Sequence, residues 1–155
     1  MIRFPQKCMY CRERAVAPTI LPIYKCEAAH DGRAYSLDVE DFEVLRCDHC
    51  YEMVLDDAAN RRVSDALREK VGLLFPVEIR AKREEHGLTQ KQLASLLCIS
   101  ESTISRWETG SQLQQRCMDR FLRCVFDVSE TRLFLSAFEG SIGTTGSVET
   151  ARRTG

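Results

Sequence analysis

Leu88-Thr89-Gln90-Lys91-Gln92-Leu93-Ala94-Ser95-Leu96-Leu97-Cys98-Ile99-Ser100-Glu101-Ser102-Thr103-Ile104-Ser105-Arg106-Trp107-Glu108-Thr109-Gly110 reads as two short helices joined by a tight turn. Thr89 is placed to cap the first helix, with Gln92, three residues on, reaching back to complete a capping box. Ser100 is placed to cap the second helix, and Gly110 to end it. Leu88, Leu93, Leu96 and Leu97 can face Ile99, Ile104 and Trp107, which would lock the two helices at a steep angle. Such a lock leaves the second helix free to enter a DNA major groove. Its other face carries Glu101, Ser102, Thr103, Ser105 and Arg106.

Helical pattern extends on both sides of this stretch. Val77 to His86 forms a helix closed by Gly87, with Pro76 in its first turn. Gln114 to Phe126 and Ser129 to Glu139 form two more. Upstream, the run from Asp57 to Val71 places Val63, Ala66, Leu67, Lys70 and Val71 near one helical stripe. It reads as a helix joining two modules.

The first module is marked by cysteine. Cys8-Met9-Tyr10-Cys11 and Cys47-Asp48-His49-Cys50 give C-x2-C-x35-C-x2-C. Each turn points two sulfurs at one spot, and two turns complete a tetrahedron around zinc. Four thiolates leave no position for water, which argues for a structural ion over hydrolysis. His49 is an alternative ligand that four thiols make unnecessary. A redox CxxC would need one pair beside a βαβ pattern, and none is visible. Between the pairs, a strand-like run ends at His30-Asp31-Gly32-Arg33, whose Asp-Gly pair signals a hairpin turn. Tyr35, Leu37 and Val39 alternate, and Phe42, Val44 and Leu45 lead to the second pair. A sheet of this size has little core of its own, so metal would supply much of its folding free energy. The remaining thiols, Cys26, Cys98, Cys117 and Cys124, are expected as small buried apolar residues. His30 and His86 are expected in solvent.

The expected class is therefore α+β: a small zinc-bound antiparallel β module followed by an all-α helix-turn-helix domain. The divisions are a metal module over 1–57, a connecting helix over 58–75, a DNA-binding and dimerisation domain over 76–139, and a tail over 140–155. The tail is rich in Gly, Ser and Thr and is expected to lack fixed structure.

Charge follows the same division. The chain carries 22 basic and 23 acidic side chains, net −1. Residues 1–60 hold 7 basic and 11 acidic groups, net −4, while residues 61–126 hold 12 and 8, net +4. A basic second block suits nucleic acid, and an acidic first block suits a protein partner. The difference is also within ordinary surface variation. No apolar run reaches a membrane span. The N-terminus has no secretory h-region, so a cytoplasmic location is expected, where cysteines serve as ligands or buried thiols. No Ser/His/Asp set, phosphate loop or open metal site points to an enzyme.

Arg106 is the first candidate for base readout, because its fork can bond guanine O6 and N7 together. Ser102, Thr103 and Ser105 lie beside it, while Gln90 and Lys91 open the preceding helix, where phosphate is commonly held. Arg80, Lys82 and Arg83 read as a solvated basic face, and Trp107 as core. Phe121, Leu122, Val125, Phe126, Leu133, Phe134, Leu135 and Phe138 exceed what a small domain needs to cover, and part of this set is the candidate dimer interface.

Residues 76 to about 126 resemble the lambda-repressor-like, Cro/C1-type helix-turn-helix family. The resemblance rests on Arg83, Gly87-Leu88-Thr89-Gln90, Leu93-Ala94, Leu97 and Thr103 through Gly110. The whole order, zinc knuckles first, is similar to the MqsA family of antitoxins, with its YgiT-type zinc finger, over residues 8 to about 138. That resemblance implies a zinc domain that binds a ribonuclease toxin. It also implies a C-terminal dimer on a palindromic operator that represses its own operon. The family's base-reading Asn and Arg sit four residues apart. Arg106 matches the Arg, but Ser102 stands in the Asn position, so a different operator is expected. Cys98 stands where the turn usually has glycine, so a slightly strained or differently shaped turn is expected. The competing reading is a stand-alone zinc-containing regulator without a toxin.

Overall fold

The structure, a computed structural model, describes residues 3–142. A four-stranded antiparallel sheet comes first, in the order β1-β2-β3-β4. Its strands are β1 (Gln6–Lys7), β2 (Arg14–His30), β3 (Arg33–Cys47) and β4 (Met53–Val54). Six helices follow: α1 (Asp57–Val71), α2 (Pro76–Glu85), α3 (Gln90–Leu96), α4 (Glu101–Thr109), α5 (Arg116–Asp127) and α6 (Ser129–Ile142). The α+β class is as expected.

β2 and β3 form one long hairpin. Asp31 and Gly32 at its tip both take positive φ, 49° and 72°, as a two-residue type I′ turn requires. The pairing is regular from His30↔Arg33 to Ile23↔Glu40, then resumes at Leu21↔Phe42. Pro22 and Asp41 are thus both skipped. Pro22 has no N–H to offer the ladder, and Asp41 turns to φ 45°. Each strand skips one residue, so the register is unchanged, and Val39 and Phe42, three residues apart, lie on the same buried face. Tyr24 stacks on Phe42 there, with ring centroids 4.3 Å apart.

α1 covers that face. Val39, Phe42, Val44 and Ala59 make a buried cluster, flanked by Leu21, Tyr24, Leu55, Val63 and Ala66. The metal module thus has more core than its length alone suggested, because the connecting helix completes it. Asp56 caps α1 by accepting from Ala59 N–H at 2.9 Å, and Gly72 ends the helix at φ 76°. Arg62 on α1 donates to the carbonyls of Glu40 and Asp41, both at 2.6 Å, and so fixes the bulge. Arg68, fully buried, pairs with Asp65 and reaches the Gly110 carbonyl at 3.4 Å. α1 therefore touches both modules and is more than a spacer.

The helical domain has its own core of Leu74, Ile79, Leu93, Ala94, Leu96, Leu97, Ile104, Trp107, Leu122, Val125 and Phe126. Asp119, nearly fully buried, binds it to the chain entering α2. It accepts from Leu74 N–H at 2.7 Å, from Gln114 Nε2 at 3.1 Å and from Arg123 Nε at 2.8 Å. α5 begins at Arg116, two residues after the expected start, because Gln114 turns inward to bond the Leu74 carbonyl. α6 runs to Ile142, three residues past the expected end. The tail expectation from residue 143 onward falls outside the described residues. Among the described residues, no helix is long and apolar enough to cross a membrane.

Candidate nucleic-acid interface and metal centre

The helix-turn-helix is built as its apolar spacing predicts. Thr89 Oγ1 accepts from Gln92 N–H at 3.1 Å, and Thr89 N–H donates to Gln92 Oε1 at 2.8 Å, which closes the capping box. Leu93, Leu96, Leu97, Ile104 and Trp107 are buried together, with Leu88 and Ile99 packed beside them. Cys98 takes φ 54° in the turn. A side chain in this left-handed region costs energy that glycine would not.

Ser100 departs from expectation. It stands at the N-cap of α4 but makes no side-chain bond to the backbone. Its hydroxyl instead pairs with Ser102 at 2.9 Å and Thr103 at 2.8 Å. The start of α4 thus presents three linked hydroxyls. Ser102 and Arg106 are exposed, and Thr103 and Ser105 are half-buried. Arg106 makes no side-chain bond to protein among the described residues. Its guanidinium stands free at the outer face of α4.

Behind this face lies an ionic lock built on Arg83, which was expected in solvent with Arg80 and Lys82. Arg83 is buried, not solvated. Its Nε and Nη2 grip the Glu108 carboxylate, the second bond at 3.0 Å, and its Nη1 donates to the Leu88 carbonyl at 2.8 Å. Only 3% of the Glu108 side chain is exposed. The pair raises the Arg83 pKa through the hydrogen bond to Glu108. Gln90 joins the lock, its Nε2 donating to Glu108 Oε2 at 2.8 Å. That bond orients Gln90 at the start of α3, whereas Lys91 beside it is exposed. Arg80 and Lys82 do lie outward, paired with Glu84 at 3.0 Å and Asp127 at 2.7 Å.

At the open end of the β2–β3 hairpin, Cys8, Cys11, Cys47 and Cys50 converge, with all four sulfurs within 4.8 Å of one another. Cys8 and Cys50 are 3.7 Å apart, and Cys11 and Cys47 3.6 Å. The backbone of one knuckle repeats in the other, 39 residues later. Cys8 N–H bonds the Glu13 carbonyl at 2.7 Å, and Cys47 N–H the Glu52 carbonyl at 2.9 Å. Arg12 and Tyr51, next after each pair, both take positive φ, 69° and 62°. Cys8 and Cys47 are buried, while Cys11 and Cys50 are half-buried. Backbone N–H groups of Cys11 and Tyr10 bring the Cys8 thiol down to about 7, while burial and the neighbouring thiols push Cys11 up to about 12 and raise Cys50. The cluster can hold a metal ion.

Other expected placements change. Cys98, Cys117 and Cys124 are exposed and only Cys26 is half-buried, so none is a buried core thiol. Cys117 and Cys124 are seven apart on α5, opposite the stripe of Asp119, Leu122 and Phe126, and that phase was readable. His30 is not in solvent: 9% of its side chain is exposed, and it lies 3.5 Å from Asp31. His86 stacks on Phe126 at 6.0 Å. His49 is exposed, and no cation site includes it among the described residues. Of the candidate dimer residues, Leu122, Val125 and Phe126 belong to the core. Leu133, Phe134 and Phe138 are exposed.

Residues 79–115 match the helix-turn-helix family model. The match runs from α2 through α4 to the loop before α5. No curated protein matches the chain. The chain thus carries a helix-turn-helix domain of the kind that makes a DNA-binding regulator.

Proposed function

We propose that this protein is a zinc-stabilised, dimeric transcriptional regulator, and that it acts as the antitoxin of a toxin–antitoxin pair of MqsA type. It binds rather than turns over substrate. The observation that carries the DNA half is the unpaired Arg106 on the outer face of an α4 that is held rigidly from behind by Arg83, Glu108 and Trp107. A preorganised recognition helix with one free guanidinium suits bidentate readout of guanine. Ser102, Thr103 and Ser105 flank it, and Gln90 and Lys91 face the backbone phosphates.

Zinc is the ion that suits four thiolates. A tetrahedron with metal–sulfur bonds of about 2.3 Å has sulfur–sulfur edges of about 3.8 Å. The Cys11–Cys47 and Cys8–Cys50 separations, 3.6 and 3.7 Å, fit it. The site is closed, so the ion is structural. Dimerisation is supported by Leu133, Phe134 and Phe138, which are 60–73% exposed along α6. A second copy packed there by a two-fold axis would set two α4 helices into successive major grooves. The toxin reading rests on the acidic metal module and on the order of the two modules.

Arg106→Ala is expected to weaken binding to a duplex selected by the protein from random-sequence DNA by about 1–3 kcal/mol, and to relax preference at one base pair. Anisotropy titrations on matched and mismatched duplexes measure this; equal affinity for both proteins would reject the role of Arg106. Phe134→Glu is expected to shift sedimentation from dimer to monomer without changing helical content. A wild-type protein that sediments as a monomer at all concentrations would remove the dimer. Mass spectrometry of the complex isolated from its native cells tests the toxin, which should appear as a second small protein bound to the metal module.

A further inference from the structure

We propose that a second phosphate-binding site lies where the hairpin tip meets α5, formed by Arg33, Arg116 and Arg120. The three arginines, with Asp31 and Cys117, line an open cleft of about 420 Å³. The metal module contributes Arg33, the first residue after the Asp31-Gly32 turn. The helical domain contributes Arg116 and Arg120, one turn apart on the same face of α5. None of the three guanidiniums makes an ion pair among the described residues, whereas Arg62, Arg68, Arg80, Arg83, Arg123 and Arg132 each bond an acid or a carbonyl.

This arrangement opposes folding on two counts. Like charges at i and i+4 repel. Cations in the first turns of a helix face the positive end of its dipole, which favours anions. The turn chemistry adds a third guanidinium from another module. A local departure from what stabilises the chain marks a site that serves a ligand, and here the missing group is an anion.

One carboxylate is already present. Asp31 Oδ2 accepts from Arg116 N–H at 2.8 Å, across 85 residues of sequence. It takes the first free amide of α5 and fixes the tip against the helix. Beside it, His30 Nε2 is buried without a hydrogen-bond partner, 3.5 Å from the same oxygen. Asp31 therefore positions the cleft and cancels one of three positive charges, which leaves two for a ligand. Guanidinium forks match phosphate oxygens in geometry. Among the described residues the cleft has no aromatic wall for a base, so it recognises the phosphate alone.

Two sources supply that chemistry. One is the phosphodiester backbone of bound DNA, since only six residues separate α4 from α5; this source rests on the DNA-binding reading above. The other is a free phosphate. Arg33→Ala and Arg120→Ala, both exposed, distinguish them in the full, metal-loaded chain. If the source is DNA, each variant reduces by about one the slope of log affinity against log salt on the selected duplex, with base preference unchanged. The double variant then loses less than the sum of the two, because the residues share one phosphate. If the source is free phosphate, inorganic phosphate binds the wild type saturably in calorimetry, Arg120→Ala abolishes that binding, and the DNA slope does not move. Asp31→Asn, which keeps an acceptor but removes the opposing charge, tightens whichever binding is seen. Wild-type slopes in both variants together with no phosphate binding would overturn the site. A wild type that selects no duplex would overturn the DNA reading alone, and the phosphate titration would still decide the cleft.

Discussion

Cys47→Ser is expected to release the metal ion and melt the knuckle end of the protein. Cys47 is fully buried, and its cluster contains only Cys8, Val16 and Cys47 with partly covered Cys11, Ala15, Leu45 and Cys50. That is too little apolar surface to hold two loops whose Arg12 and Tyr51 sit in the left-handed region. Strands β1 and β4 have two residues each and cannot persist unaided. Structural zinc contributes about 10–16 kcal/mol in small zinc peptides, comparable to a domain's whole net stability of about 5–15 kcal/mol. The loss should stop at the bulge. Val39, Phe42 and Val44 remain packed on α1, and Arg62 still holds the carbonyls of Glu40 and Asp41. Metal content by native mass spectrometry and amide exchange along β1–β4 measure both halves. Full metal occupancy with unchanged exchange would show that Cys47 is no ligand. Exchange rising equally through α1 and the helical domain would show that the melting does not stop where the core suggests.

Arg83→Ala is expected to be the most damaging single change in the helical domain. It leaves the Glu108 carboxylate buried without its partner, and removes the donor to the Leu88 carbonyl. Breaking a buried pair in this way costs about 3–5 kcal/mol. For a domain of this size that lowers the melting temperature by on the order of 15–30 °C. Removing both partners together, as Arg83→Met with Glu108→Leu, should restore much of the loss, because no charge is then stranded. A thermal melt of the single and double variants decides the matter. A single variant within a few degrees of wild type would mean that water reaches Glu108 and the lock is not closed.

Much of this architecture was legible because its signals are local. Thr89 and Gln92 are three residues apart, so a capping box can be read directly. Asp31-Gly32 specifies its turn through backbone conformation alone. Each CxxC is four residues long, and its partner is identical in form. Asp41 shows the limit of such reading: the step from Val39 to Phe42 breaks strand alternation, and only the matching skip at Pro22 shows that both strands step together and keep their register. The Arg83–Glu108 pair joins residues 25 apart, and Arg83 reads as solvent-facing when seen among Arg80 and Lys82. The tip of the hairpin and the start of α5 are farther apart still, so the arginine cleft has no signature along the chain. The exposed cysteines are a different error. Residue type favoured burial, while helix phase placed Cys117 and Cys124 outside.

The long hairpin also sets how a metal ion would be held. Cys11 and Cys47 are 36 positions apart, and a loose chain of that length would bring them together seldom. Here fourteen paired positions, from His30↔Arg33 to Val16↔Cys47, deliver one knuckle to the other. Each CxxC acts as a two-toothed chelator, and strand pairing gives the second chelator a high effective concentration at the first. An ion slipping from one pair of sulfurs would be recaptured before it diffused away. Its residence time would then depend in part on the turn at Asp31-Gly32, about 50 Å along the strands from the sulfurs.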